Sequence, residues 1–269
     1  MGAECIHGLD EVMCDACSPK PVLEALTPPR STRARALPKA NLRGGSTDVA
    51  GGKSAKPRTV VNVSGHRIYH VTHISNLAGI VQNGCLTADA SESIAARPVV
   101  DISSAETREA RRAAQVTGIV DGDDTVANYV PFFVTPDAAL WLDMRSDAVD
   151  PRLAADTRNR SASEFLVLVS TVEKAEPTST VIARGDAGDP RTELATTPAA
   201  RARELRNMID DDEALADAEL LVREQFPFES ITLIGVANEK VRDEVRGILR
   251  AKGPKVAVYP PWFQQPTED

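Results

Sequence analysis

Residues 68–80 read IYHVTHISNLAGI, and the change of pattern inside this stretch decides how the region folds. Its first part continues a β-branched run from Val60 to Tyr69, which is broken by Gly65 and predicts a strand. From Ile74 to Gln82 the apolar residues recur at helical spacing, and Gly84 follows as a C-terminal stop. The stretch therefore predicts a strand that passes directly into a helix.

The rest of the chain beyond this unit has the signals of a mixed α/β domain over residues 60–269. The further elements expected are helices over 104–115, 137–145, 198–209 and 239–252, and strands over 129–134, 164–172, 218–222, 231–236 and 256–259. Strands and helices do not alternate regularly, and no phosphate loop such as GxGxxG or GxxxxGK is present. Rossmann and nucleoside-triphosphate-binding folds are therefore set aside. The expected fold class is α+β, with a mixed sheet and surrounding helices.

The net charge of −8 is distributed unevenly along the 269 residues. Residues 1–17 carry −4 and residues 18–58 carry +7, so the remaining chain carries −11. Such an acidic body is poorly suited to wrapping long duplex DNA, whose affinity comes mostly from phosphate neutralisation. A narrow cationic groove for a few nucleotides stays open as an alternative. No apolar run is long enough to span a bilayer and no signal peptide is evident, so we expect a cytoplasmic protein without membrane partners.

The N-terminal residues concentrate metal-ligating side chains. Cys5-x-His7 is separated by six residues from Cys14-x-x-Cys17, and two such pairs suit one tetrahedral zinc ion. Four protein ligands leave no open position, so the zinc would be structural. The alternative is a disordered tail with a chance cluster of cysteines. The expected organisation is a zinc-knuckle-like module over residues 1–17, a basic Pro/Gly-rich linker over 18–59 and the main domain over 60–269.

Three histidines, His66, His70 and His73, fall within eight residues of the predicted strand and turn. A metal site built on two of them would need a carboxylate from elsewhere, and no HExxH-like spacing exists. By residue pattern alone, the better interpretation is that these histidines are polar side chains at a strand end, with their hydrogen bonds satisfied within the protein.

Three ordered motifs stand out: IYHVTHISNLAGI at 68–80 with Gly84 and Leu86, YVPFF at 129–133, and AELLV at 218–222 with FPF at 226–228. Together they resemble the DarT family of DNA ADP-ribosyltransferases. The stretch 68–80 with Gly84 and Leu86 resembles the opening strand and helix of that family, and YVPFF at 129–133 resembles its second hallmark. The family usually has tyrosine where Phe133 stands. Residues 218–222 (AELLV), followed by FPF at 226–228, resemble its glutamate-bearing strand. The resemblance covers about residues 66–262 and implies an ADP-ribosyltransferase-like fold with NAD as co-substrate.

Glu219 is the candidate catalytic residue that this resemblance provides. Breaking the nicotinamide–ribose bond passes through an oxocarbenium-like transition state, which a carboxylate at the ribose stabilises. The apolar neighbours of Glu219 make it an unusual place for mere solvation. The alternative is an edge-strand residue that faces water.

The resemblance also implies partners for this glutamate. It pairs Glu219 with an arginine, matched here by Arg111, although Arg108 and Arg112 are close enough to take its place if the register slips. Arginine cannot serve as a base at ordinary pH, so Arg111 would bind the pyrophosphate or polarise a thymine carbonyl while Glu219 accepts the proton. The cofactor-binding residues that the resemblance implies are His70, Thr72 and Asn76.

The function that the resemblance implies is transfer of ADP-ribose from NAD to a base, with thymine as the main candidate, in DNA. The DNA is expected to be single-stranded, because duplex pairing blocks the ring nitrogen. The resemblance implies a toxin controlled by a macrodomain antitoxin. Segment 198–217 would present the nucleotide; its basic residues Arg201, Arg203 and Arg206 could meet phosphates, whereas the acidic run 210–213 reads as a solvated loop. Two alternatives stay open: the same chemistry on guanine, RNA or protein, and a zinc-containing nucleic-acid-binding protein with a decayed transferase site.

Overall fold

The computed structural model describes residues 62–91, 97–119, 124–146, 148–250 and 253–265. Its strands are β1 (Arg67–His73), β2 (Cys85–Thr87), β3 (Tyr129–Phe133), β4 (Phe165–Thr171), β5 (Thr180–Ala183), β6 (Leu194–Ala195), β7 (Glu219–Arg223), β8 (Gln225–Pro227), β9 (Leu233–Val236) and β10 (Lys255–Val258). Its α-helices are α1 (Ile74–Asn83), α2 (Ala105–Ala113), α3 (Ala139–Arg145), α4 (Ala155–Arg158), α5 (Val172–Ala175), α6 (Pro198–Met208), α7 (Asp212–Asp217) and α8 (Glu239–Leu249). One eight-stranded sheet has the order β10-β9-β4-β1-β3-β7-β5-β6, and β2 pairs with β8 in a separate ribbon. The expected mixed sheet with surrounding helices is therefore confirmed.

The strand-to-helix unit at β1 and α1 forms as predicted at its C-terminal end. His73 is the N-cap of α1, and its Nδ1 accepts a hydrogen bond from the Ser75 backbone N–H at 3.2 Å. Gly84 ends the helix in the left-handed region, with φ of 71°, which glycine adopts without a Cβ penalty. The start of the strand was wrongly placed: β1 begins at Arg67, because the residues around Gly65 form a turn closed by the hydrogen bond from His66 N to Val63 O.

Strand β4 shows how the sheet forms its core on two faces. Phe165, Val167 and Val169 pack with Trp141 of α3 on one face. Leu166 and Leu168 lie on the other face, in the cluster that receives apolar residues of α1, α6 and α8. Because the strand is buried on both faces of the sheet, the residues that point to either face are apolar, and its sequence is a continuous hydrophobic run. This strand, predicted over 164–172, is confirmed.

The acidic run 210–213 is solvent-exposed, as the sequence suggested, but it is not a loop throughout. Asp211 caps α7, and its side chain accepts a hydrogen bond from the Ala214 N–H at 3.1 Å. Asp212 and Glu213 occupy the first turn, where the helix dipole favours negative charge. The run therefore starts the helix that leads into β7.

The sheet separates between β1 and β3, and this separation creates the space for the site. The two strands register only at Tyr69 and Phe133, whereas β3 pairs with β7 along its whole length. Pro131 lies where the separation occurs, and its carbonyl is directed to the His70 ring. A residue in an antiparallel strand directs its N–H and C=O to the same neighbour, so the N–H that proline lacks would also have faced β1. The missing donor explains why the ladder stops there.

Among the helices that the structure describes, none is long and apolar enough to cross a bilayer.

Candidate active site

A cavity of about 530 Å³ lies at the separation between β1 and β3. It brings together all five residues expected in the main domain: His70, Thr72, Asn76, Arg111 and Glu219. Cross-strand register places Tyr69, Phe133 and Glu219 in one row on the same face of the sheet, so the adjacent residue His70 points to the opposite face. Since His70 and Glu219 both line the cavity, the cavity extends through the gap between the two strands.

Arg111 and Glu219 form a buried ion pair in this cavity. Arg111 Nη1 donates to Glu219 Oε2 at 3.0 Å and to Oε1 at 3.3 Å, and only 12% and 10% of the two side chains are exposed. Burial raises the pKa of Glu219, and the Arg111 charge opposes that rise. The neighbouring arginines of α2 have other carboxylate partners: Arg108, which also lines the cavity, pairs with Asp101, and Arg112 pairs with Asp89. Geometry therefore places Arg111, among these three, at the glutamate.

Glu219 is held in an interior strand. β7 lies between β3 and β5, and the cross-strand neighbours of Glu219 are Phe133 on one side and Ala183 on the other. The alternative of an edge-strand residue that faces water is therefore wrong. Phe133 packs with the aromatic cluster around Trp141, while Ala183 belongs to a separate apolar cluster. The Glu219 carboxylate therefore lies between two apolar clusters.

Arg111 also has an unused donor. Its Nη2 atom is buried and has no hydrogen-bond partner among the described residues. An unpaired buried donor is costly, and a ligand oxygen in the cavity would satisfy it. The site thus presents a carboxylate and a cationic donor side by side.

His70 is fixed in one tautomer. Its Nδ1 lies 2.8 Å from the Pro131 carbonyl oxygen, and a carbonyl only accepts, so Nδ1 carries the proton. Burial lowers the pKa of His70, which keeps the ring neutral and leaves Nε2 as an acceptor. The side chain that fills the gap in the ladder can therefore receive a hydrogen bond from a ligand hydroxyl.

Asn76 uses its amide within the protein. Nδ2 donates to Thr72 Oγ1 at 3.2 Å and to the Val100 carbonyl at 2.9 Å, while Oδ1 accepts from the Val100 N–H at 3.0 Å. Asn76 therefore holds the wall of the cavity formed by residues 97–103. Thr72 accepts from Asn76 and keeps its own hydroxyl proton to donate. Direct contact of Asn76 with a cofactor stays a prediction.

The other two histidines have structural partners. His66 Nε2 lies 2.7 Å from the Val134 carbonyl, and His73 caps α1 as described. Across the ranges that the structure describes, no group of three or more His, Cys, Asp or Glu side chains could hold a metal ion. The zinc ligands predicted at Cys5, His7, Cys14 and Cys17 lie outside the described residues.

Two of the arginines expected to meet phosphates have partners inside the chain. Arg201 Nη1 donates to the Thr196 carbonyl at 2.6 Å, and Arg203 pairs with Glu204 at 3.0 Å. A role in binding a polynucleotide stays a prediction for this helix.

Sequence reasoning missed one part of the site, Asp186 and its loop. Asp186 lines the cavity beside Glu219 and further raises the pKa of that carboxyl. The available signal was the turn-forming sequence RGDAGDP at residues 184–190, but it marks a loop and does not say what the loop contacts.

The fold is similar to that of solved ADP-ribosyltransferase structures. The DarT of Thermus sp. 2.9 in complex with ADP-ribosylated ssDNA superposes with a TM-score of 0.60 at 23% identity, over 74% of this chain and 96% of that one. The same enzyme in complex with NAD+ gives a TM-score of 0.57 at 23% identity, over 74% and 98%. Thermosipho africanus DarTG in complex with ADP-ribose gives 0.55 at 14% identity, over 74% of this chain and 51% of that one. At these identities the likeness establishes the fold.

The class that this fold and the family match together define is the ADP-ribosyltransferases. Residues 69–264 match the family described as "ssDNA thymidine ADP-ribosyltransferase, DarT", and the chain belongs to that family. It is accordingly an ADP-ribosyltransferase that acts on thymidine in single-stranded DNA. No curated protein matches it. The family match favours the main prediction over the alternative of a zinc-containing nucleic-acid-binding protein with a decayed transferase site.

Proposed function

We propose that this chain transfers ADP-ribose from NAD to the ring nitrogen of thymine in single-stranded DNA, with Arg111 and Glu219 as the catalytic residues. The observation that carries the proposal is the buried contact between these two side chains inside the cavity. A carboxylate and a guanidinium with a spare donor match the two charges of the reaction, the cationic ribose and the developing negative charge on the base.

The cavity suits NAD as the donor. Its volume of about 530 Å³ is in the usual range for small-molecule sites. His70 Nε2 would accept a hydrogen bond from a ribose hydroxyl, and Thr72 would donate one. The Thermus enzyme of the same fold was solved in complex with NAD+, which supports this assignment.

The chemistry assigns one role to each member of the pair. As the bond between the ribose and the nicotinamide nitrogen breaks, nicotinamide leaves as a neutral molecule and the ribose gains cationic character, which the Glu219 carboxylate stabilises. The thymine nitrogen then bonds to the ribose carbon, and its proton passes to Glu219. A raised pKa makes Glu219 a stronger base than an ordinary carboxylate. Arg111 Nη2 would donate to the thymine carbonyl or to the pyrophosphate, because both present oxygen acceptors.

The acceptor is tested with oligonucleotides. The protein is incubated with NAD and with single-stranded DNAs that each lack one of the four bases, and adducts are detected by mass spectrometry. We expect modification of every strand except the one without thymine. Modification of the strand without thymine would show that another base is the acceptor. Transfer to RNA or to protein alone would show that one of the alternative acceptors is the substrate. The reason to test these alternative acceptors is Phe133, the cross-strand neighbour of Glu219, which stands where the family usually has tyrosine.

Annealing the complementary strand should suppress the reaction. The thymine nitrogen is engaged in base pairing within a duplex, and extruding a paired base costs about a few kcal/mol before any chemistry begins. We therefore expect a rate at least about tenfold lower on duplex than on the same strand alone, measured at equal concentrations and at the same salt. Equal rates would place the acceptor atom outside the pairing edge.

For the N-terminal residues we propose a structural zinc bound by Cys5, His7, Cys14 and Cys17, in a module separate from the transferase domain. A segment of 17 residues has no core of its own, so ligand bonds would supply its folding free energy. Elemental analysis should find about one zinc per chain. The double variant Cys14→Ser/Cys17→Ser should lose it. A chain that begins near residue 59 should retain transfer, and its inactivity would contradict the separation of the two parts.

Family membership further suggests control by a macrodomain antitoxin that removes the adduct, and a cytoplasmic location. The solved Thermosipho africanus protein is a DarTG, which supports an antitoxin of this kind. Incubating the modified oligonucleotide with a macrodomain hydrolase tests the proposal, because release of ADP-ribose restores the unmodified mass.

A further inference from the structure

The loop between β5 and β6 touches both members of the catalytic pair. Residues 184–193 (RGDAGDPRTE) contain a compact turn centred on Asp186. Asp186 Oδ1 accepts a hydrogen bond from the Gly188 N–H at 2.8 Å, and the Asp186 carbonyl accepts one from Thr192 Oγ1 at 2.7 Å. A third bond, from Thr192 N to Asp189 O at 2.9 Å, closes the far side. The turn is therefore held by hydrogen bonds at both ends.

Its first contact is with Glu219. Ala187, the residue after Asp186, is buried, and its backbone N–H lies close enough to the Glu219 carboxylate to lower the pKa of that group. This contact favours the ionised form of Glu219, since a nearby backbone donor stabilises a carboxylate. A backbone N–H is positioned only as well as the turn that carries it, so the orientation of Glu219 depends on the turn.

Its second contact is with Arg111. A Cβ placed on Gly188 would lie 3.3 Å from Arg111 Cγ, 3.3 Å from Asp186 Oδ1 and 3.6 Å from Ala110 Cβ. The Gly188 backbone thus packs directly against α2, on the aliphatic part of the Arg111 side chain. Any larger residue would have to push the arginine stem or the Asp186 carboxylate aside.

We propose that Asp186 is a positioning residue of the transferase, whose carboxylate holds the turn that fixes Glu219 through Ala187 and packs Gly188 against Arg111. The inference rests on the proposed roles of Arg111 and Glu219. It assigns no contact with substrate to Asp186.

The charge of Asp186 has a separate effect. The charged groups that face Glu219 are Arg111 from α2 and Asp186 from the loop. The positive charge of Arg152 interacts with the negative charge of Asp186. Asp186 raises the pKa of Glu219 while Arg111 lowers it. Asparagine keeps an oxygen that accepts from the Gly188 N–H but removes the charge, so the structural and the electrostatic effects can be measured separately.

The test compares Asp186→Ala, Asp186→Asn and the control Asp189→Asn in the full-length protein, with NAD and a single-stranded oligonucleotide containing one thymine. Asp189 lies in the same loop and pairs with the exposed Arg191, away from the catalytic pair. We expect Asp186→Ala to lower kcat by about 10- to 100-fold, since misplacement by about 1 Å can have that effect, with KM for NAD changed less than about threefold. Asp186→Asn should restore kcat at its own optimum to within about threefold of wild type, and Asp189→Asn should match wild type.

The pH dependence adds a readout that a merely structural role would leave unchanged. Glu219 works as a base in its ionised form, so the acid limb of the rate profile follows its pKa. Removing the Asp186 charge lowers that pKa, and we expect the acid limb of Asp186→Asn to move to lower pH. An unmoved limb would contradict the electrostatic effect.

Two outcomes would overturn the positioning role. One is an active wild type with an Asp186→Ala variant of equal kcat; the other is an Asp186→Asn variant as impaired as the alanine variant. If Asp186→Ala fails to fold, Gly188→Val takes its place, because its added bulk presses on Arg111 from the same turn; full activity of that variant would equally overturn the role. An inactive wild type overturns the proposed function together with this inference, which separates that failure from failure of the positioning role alone.

Discussion

Glu219→Gln is expected to reduce ADP-ribose transfer by at least about 10³-fold, because it removes the negative charge that stabilises the cationic ribose and the group that accepts the proton. Glutamine has nearly the same volume and keeps an oxygen within reach of Arg111 and of the Ala187 N–H. The loss therefore comes from chemistry and not from an emptied space. Single-turnover formation of the modified oligonucleotide, with NAD and DNA saturating, measures it.

The control for Glu219→Gln is a test that the variant still folds. Near-unchanged far-UV circular dichroism and a thermal midpoint within a few degrees of wild type would show that the sheet around β7 is intact. Retention of more than about a tenth of the wild-type rate by a folded Glu219→Gln protein would remove Glu219 from the catalytic pair.

Arg111→Ala is expected to reduce transfer by about 10²- to 10³-fold, in line with loss of a charged donor at a reacting centre. Two effects combine in this variant. The donor Nη2 is lost, and the buried Glu219 loses the guanidinium that lowers its pKa. More of Glu219 is then protonated at a given pH, so the acid limb of the pH–rate profile should move to higher pH. Arg111→Lys keeps a charge but lacks the planar two-nitrogen fork, and we expect it to stay well below wild type.

Arg112→Ala is the matched control on the same helix. Arg112 is 41% exposed and pairs with Asp89 at the surface, where an ion pair contributes about 0–1 kcal/mol. It should retain nearly full activity. A strong loss in Arg112→Ala with an active Arg111→Ala would show that the catalytic register on α2 is misassigned.

The parts of the fold that were predictable are those in which local pattern and tertiary structure agree. The β1–α1 unit combines a change of periodicity with a glycine stop at Gly84, and β4 is a long apolar run. Strands β2, β6 and β8 contain two or three residues each, too few for a period to be recognised. They form because neighbouring strands offer them hydrogen bonds. The start of α7 was missed for a related reason, since an acidic run becomes a helix start only when a residue such as Asp211 caps it.

The candidate site also has a part that the sequence could predict and a part that depends on tertiary structure. Glu219 and Arg111 could be named from the resemblance of their motifs, yet their contact joins residues 108 positions apart, which no local pattern shows. Asn76 was expected to bind the cofactor, but its amide is bonded to Thr72 and Val100. Asp186 acts through a turn whose contacts are set by where β5 and α2 pack. Side-chain chemistry was therefore predictable by type, whereas the partner of each side chain depended on tertiary structure.

The most direct test of the central claim uses two oligonucleotides that differ in one methyl group. Each carries a single thymine, unmodified in one and methylated on the ring nitrogen N3 in the other, and each is incubated with NAD and either wild type or Glu219→Gln. Tandem mass spectrometry then locates any added ADP-ribose. The predicted result is one ADP-ribosyl group on the thymine of the unmodified strand, made by wild type alone, and none on the methylated strand. Equal modification of the methylated strand, or of either strand by Glu219→Gln, would contradict the account.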